Sequence, residues 1–131
     1  MTTQTGDRPA RRVVLSDMTR ILAAIVRDLV GRETDLLYVG SVALPELPAA
    51  LPSIRPDVVV IAPPRTDRAR AARDELRQAA ADLTVVEIRP RDDRAVVWHP
   101  GSGPEHIALS ASGILAALRG VRSAERGAAP A

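Results

Sequence analysis

The 131-residue sequence predicts an α/β domain built on a doubly wound sheet, parallel at its core and finished by an antiparallel C-terminal hairpin edge. Three observations lead there. Short β-branched runs alternate with apolar stretches of helical period, the order that parallel crossovers produce. Residues 56–62 contain an uninterrupted Val-Val-Val-Ile run of the kind buried on both faces of a sheet. The spacer at residues 89–94 is too short for a helix to return the chain in parallel.

Taken in order, residues 12–16 (Arg-Val-Val-Leu-Ser) form the first strand. Asp17 is placed to cap the next helix, in which Ile21, Leu22, Ile25, Val26, Leu29 and Val30 make an apolar stripe and Gly31 is the expected C-cap. Residues 35–42 are the second strand. Pro45, Pro48 and Pro52 then make the following helix short and broken, although Leu44, Leu47, Leu51 and Ile54 keep its rhythm. The third strand is residues 56–62 and the third helix residues 67–83, with Ala69, Ala72 and Leu76 inward and arginines outward. Residues 84–88 are the fourth strand, 95–99 the antiparallel fifth and 105–109 an edge strand. Residues 110–119 read as a final helix capped at Ser110, with Ile114, Leu115 and Leu118 inward.

Apolar residues make up 46% of the chain and charged residues 26%, ordinary usage at a length that holds one core. Residues 11–122 are the expected domain, flanked by a flexible N-terminus (1–10) and a flexible Gly/Ala/Pro tail (123–131). No apolar run approaches the roughly 18 residues that cross a bilayer, and residues 1–9 lack the apolar stretch of a signal peptide, so the expected location is cytoplasmic, with no membrane partner. Absence of cysteine excludes disulfides, Cys-ligated zinc and thiol nucleophiles. All 18 basic residues are arginine, and Lys, Asn and Phe do not occur, a codon-bias pattern expected of a GC-rich, actinobacterial genome. A net charge of +2 is too small for a nucleic-acid footprint.

The stretches Arg12-Val-Val-Leu-Ser-Asp17, the helix to Val30, Leu37-Tyr-Val-Gly40 and above all Ile54-Arg-Pro-Asp-Val-Val-Val-Ile61 resemble the receiver domain of bacterial response regulators, over roughly the first half of the chain. The resemblance implies a flavodoxin-like, receiver-like sheet. It also implies a phosphoacceptor site made of an acidic pair after the first strand, an aspartate ending the third, a Ser or Thr ending the fourth and a lysine ending the fifth, around a magnesium ion. Carried over by position, Ser16 and Asp17 match the acidic pair with one carboxylate lost, and Ala62 stands where the phosphorylated aspartate belongs. There is no hydroxyl near Ile88 and Arg89, no lysine anywhere, and no crossover helix for signalling output. Asp57 opens the third strand, about 16 Å from its other end, and cannot substitute. The resemblance therefore implies a degenerate receiver pocket (Ser16, Asp17, Ala62) without catalysis, cofactor or metal.

Other constellations have plainer readings beside the functional ones. Asp17 is a weak cation contact or a helix N-cap. His99 and His106, with Asp17 or Glu87, offer nitrogens and a carboxylate to a metal, but across a loop of no recognised ligand spacing. The Pro100-Gly-Ser-Gly-Pro104 loop lacks a P-loop's lysine and setting and reads as an ordinary turn. Arg65, Arg68, Arg70, Arg73 and Arg77, interleaved with acids and without aromatics for stacking, read as a solvated helix face. Trp98 shares one strand face with Val96, either packed on the last helix or exposed as a contact.

The expected function is a regulatory protein-protein interaction or dimerisation module in bacterial signalling, its output passing through a protein partner or a second copy. Val96, Trp98 and His99 are its candidate interface, because residues 95–98 carry no charge to blunt a strand edge. The alternative from another class is a small-ligand or nucleotide sensor at the C-terminal edge of the sheet, near Asp17, Ser41 and Ala62.

Overall fold

Alternation along the strands decides the layering. A computed structural model describes residues 10–79 and 82–121; apart from Ala10, the expected flexible ends lie outside the described residues, as does Arg122. β1 (Arg11–Ser16) turns Val13 and Leu15 to one face and Val14 to the other. α1 (Arg20–Gly31), β2 (Leu36–Ser41), a 3₁₀ turn (Leu44–Glu46) with α2 (Leu47–Ile54), β3 (Val58–Ile61), α3 (Asp67–Ala79) and β4 (Thr84–Arg89) follow. β5 (Arg94–Trp98), β6 (Pro104–Ala108) and α4 (Ala111–Leu118) complete the fold.

The six strands form one sheet in the order β2-β1-β3-β4-β5-β6. β1 to β4 are parallel; β5 is antiparallel to β4, and β6 to β5. The antiparallel return expected from the short spacer is present, with register from Val85↔Trp98 to Arg89↔Arg94. One core lies under α1 and α4, where Val13, Val60, Val86 and Val97 meet Val26, Val30, Ile114 and Leu118. The other lies under α2 and α3, where Val14, Val59, Ile61 and Val85 meet Leu44, Leu47, Ala72 and Leu76. β3 is fully buried, as its unbroken apolar run requires.

β1 also anchors helices on both faces. Arg11 Nε donates to the Leu118 carbonyl at 2.7 Å, and Arg12, pointing the opposite way, donates to the Ile54 carbonyl at 2.8 Å. Each guanidinium meets the negative end of a helix on its own side of the sheet. Two expectations are corrected. α2 is short but unbroken, because Pro48 sits in the first turn, where its missing N–H leaves no bond unmade, and the helix carries Pro52 within it. Gly31 is the last residue of α1, and Arg32 is the C-cap. No helix among the described residues is long and apolar enough to cross a membrane.

α4 is fixed at both ends. Ser110 accepts a hydrogen bond from the Gly113 N–H at 3.0 Å, and Gly120, at φ 79°, closes the other end with its N–H on the Ala117 carbonyl. Arg119 reaches from there to Glu33 and to Asp35, the latter at 2.7 Å, tying α4 to the α1–β2 turn. The Arg119 hydrogen bond holds the Asp35 carboxyl below its usual range.

Alanine in place of an interior helix glycine ordinarily stabilises by about 1 kcal/mol. At Gly113, however, a Cβ would lie 2.9 Å from Ser110 Oγ and 3.1 Å from the Ala108 carbonyl. The melting temperature of Gly113→Ala is therefore expected to fall; a rise would show that the cap yields without loss. Because the folded-state pKa of Asp35 is depressed, its contribution is complete above the ordinary carboxylate range and is lost as pH falls through the folded value. Acid titration of stability should show a loss in that window that is smaller in Arg119→Ala and reduced by salt, since Asp35 is largely exposed.

Candidate functional site

The four parallel strands end on one edge of the sheet. From β1 the chain crosses to β2 on one side, and from β3 to β4 on the other, so a crevice opens between the carboxyl ends of β1 and β3. A groove of about 1280 Å³ occupies that place. Its walls are Asp17 to Thr19 with Ile21, Leu22 and Ile25 at the head of α1, Leu44 and Pro45, Ala62 to Arg65 after β3, and the turn Arg89 to Asp92 after β4.

Ser16, Asp17 and Ala62, the residues that the receiver resemblance singled out, lie at this edge with different roles. Ser16 is fully buried, and its Oγ donates to the Val42 carbonyl at 2.6 Å. Asp17 accepts from the Leu44 N–H at 3.2 Å, and the Val42 N–H reaches the Leu15 carbonyl at 3.1 Å. Ser16 and Asp17 thus hold the β2–α2 loop against the end of β1. Asp17 sits at φ 54°, a left-handed conformation that aspartate tolerates better than most side chains. Its expected place as the cap of α1 is taken by Thr19, whose hydroxyl accepts from the Leu22 N–H. Ala62 lines the groove with a methyl group. Ser41 faces Tyr38, hydroxyl to hydroxyl at 2.9 Å, outside the groove. Asp57 lies at the amino end of β3, accepting from the Arg12 N–H at 2.7 Å.

These residues do not fit the magnesium site that a receiver would carry. Ser16 is turned to a carbonyl, the Asp17 carboxylate is engaged by a backbone N–H, and Ala62 brings no ligand oxygen from its side chain. Among the described residues, no three histidine or acidic side chains gather into a metal-holding group.

The candidate interface lies elsewhere and inside. Val96, Trp98 and His99 are 2%, 8% and 4% exposed. Trp98 shares a face with Val96, as alternation requires, but the helix covering it is α3 and not α4, which packs on the opposite face. Arg77 and Arg73 place their guanidinium groups 4.9 and 5.7 Å from the Trp98 ring centroid. β6 pairs with the far side of β5, so residues 95–98 are not an open edge. His99 Nε2 lies 3.3 Å from Glu105 Oε1, while His106 is exposed on β6.

Glu87 has an unexpected role. It is 1% exposed, and its two carboxylate oxygens accept from Arg73 at 2.9 Å and from Arg89 at 2.6 Å. Arg73, expected on the solvated face of α3, is instead folded inward to meet it, because an acid buried at a core position of β4 requires cationic partners. That acid within Val-Val-Glu-Ile was the available sequence signal.

Among the groove residues not anticipated from the sequence are Ile21 and Ile25, both on the apolar stripe of α1. They are 77% and 50% exposed. The α1 stripe consists of two adjacent rows, 21/25/29 and 22/26/30. The second row turns to the sheet, with Val26 and Val30 buried; of the first, Ile21 and Ile25 flank the groove, while Leu29 packs against the core. A stripe two rows wide is the sequence signal, but which row faces the sheet depends on how the helix docks.

Trp98→Ala is expected to destabilise the fold by about 3–5 kcal/mol, as for other buried aromatics, without changing assembly state. The fluorescence of the single tryptophan should be shielded from aqueous quenchers; ready quenching would contradict its place under α3. Comparison of the chain with protein-family models, curated protein sequences and solved structures finds no match.

Proposed function

We propose that this chain is a non-catalytic, receiver-like regulatory module that binds a partner protein at the carboxyl-edge groove and carries out no phosphoryl transfer. The flavodoxin-like strand order β2-β1-β3-β4 and helices on both faces support the receiver-like part of this reading. One observation carries the functional part. At the positions where a receiver assembles its phosphoacceptor site, Ser16 and Asp17 are bonded to the β2–α2 loop and Ala62 has no nucleophile, while Ile21 and Ile25 stand exposed on the adjoining wall. Exposed large apolar side chains beside a concavity are a feature of association surfaces. The burial of Val96, Trp98 and His99 in the chain's own core speaks against the hairpin as the contact face and so favours the groove.

Acetyl phosphate, or beryllofluoride with magnesium, is expected to leave the intact mass and the amide spectrum unchanged. An added phosphate that disappears in Asp17→Ala would overturn the reading. For the partner, a photocrosslinker placed at Ile25 in native-host cells should give protein adducts, whereas one at Leu37, an exposed apolar residue outside the groove, should not. Equal yields at the two positions would remove the groove as the contact face.

A further inference from the structure

We infer that the groove takes an acidic amphipathic peptide segment of the partner, with apolar side chains seated on Ile21 and Ile25 and carboxylates on Arg65, Arg89 and Arg91. This rests on the docking reading above and adds the chemistry of the occupant.

The apolar wall comes first. Ile21 and Ile25 are one helical turn apart on α1, and Pro45, Pro63 and Pro64 supply apolar surface elsewhere in the same groove. That spacing matches the i, i+4 rhythm of an incoming helix laid in a groove. The space, about 1280 Å³, also exceeds the roughly 300–1,000 Å³ usual for small-molecule sites. A peptide segment fits it better than a metabolite.

Charge then selects the segment. Three guanidinium groups line the groove against two carboxylates, and one of those, Asp17, is already engaged by the Leu44 N–H. Arg65 and Arg91 are exposed and have no ion-pair or hydrogen-bond partner among the described residues. Arg89 is different. Its Nε is fixed at 2.6 Å on buried Glu87, which orients the head of the side chain at the groove wall and leaves its terminal nitrogens without a partner among the described residues. A guanidinium held in place in this way loses little freedom on meeting a carboxylate, and its fork matches the two oxygens. A basic segment would bring like charge against all three arginines. The recess is concave and mixes apolar and cationic walls, so the proposed source of the carboxylates is a protein segment and not a lipid surface.

The test uses the full chain, ¹⁵N-labelled, with three synthetic peptides: an amphipathic Leu/Glu peptide, its Leu/Lys counterpart, and a scrambled Leu/Glu peptide without an apolar face. The Leu/Glu peptide is expected to shift amides at residues 18–25 and at Arg89, Arg91 and Asp92. It should bind at least about tenfold more tightly than the Leu/Lys peptide, with affinity falling as salt rises. Arg65→Glu combined with Arg91→Glu, both exposed positions, should reverse that preference with the melting temperature unchanged. Equal or tighter binding of the Leu/Lys peptide would overturn the inference and leave the docking reading standing. Equal binding of the scrambled peptide would overturn it in the same way. Phosphatidylglycerol vesicles shifting the same amides when no peptide does would overturn a protein occupant, and no groove shift with any probe would remove both the inference and the docking reading.

Discussion

The connection between β4 and β5 constrains the second half of the molecule. Arg89 ends one strand and Arg94 begins the next, with one 3₁₀ turn, Pro90–Asp92, and Asp93 at φ 53° between them. That length reverses the chain and cannot carry it over the sheet. Reversal sets Val96 and Trp98 under α3 and lets β6 pair with the far side of β5. It also leaves no helix between β4 and β5, so one wall of the groove is a tight turn bearing Arg89 and Arg91.

The two ends of the sheet use polar groups differently. At the amino end, Arg11, Arg12 and Asp57 satisfy helix carbonyls and strand N–H groups, and their role is structural. At the carboxyl end, Ser16 and Asp17 secure one loop, while the remaining groove surface is mostly apolar with arginines in excess over the one other carboxylate, Asp92. The divergence of crossovers at β1 and β3 makes this edge the natural place for a site, and the side chains there decide what it can bind.

Glu87 joins the interior to that surface. Its carboxylate is shared between Arg73, which lies over Trp98, and Arg89, which lines the groove. Removing either partner would leave a buried charge less compensated, a strongly destabilising change, so the network restricts where both arginines can point. Packing of α3 on β5 and the position of the Arg89 guanidinium are consequently set by the same carboxylate.

Local sequence determined the strands, the capped final helix and the hairpin, because apolar β-branched runs, Ser110 and the short 89–94 spacer each act within a few residues of themselves. Tertiary structure decided the rest. Whether α1 turned the Ile21 row or the Leu22 row to the sheet, and which helix would cover Trp98, depended on docking between segments far apart in the chain. The inward fold of Arg73 depended on a carboxylate 14 residues away on another element. Side-chain period defines faces, but it does not say what each face will meet; only the closed sheet, with its helices seated, fixes that.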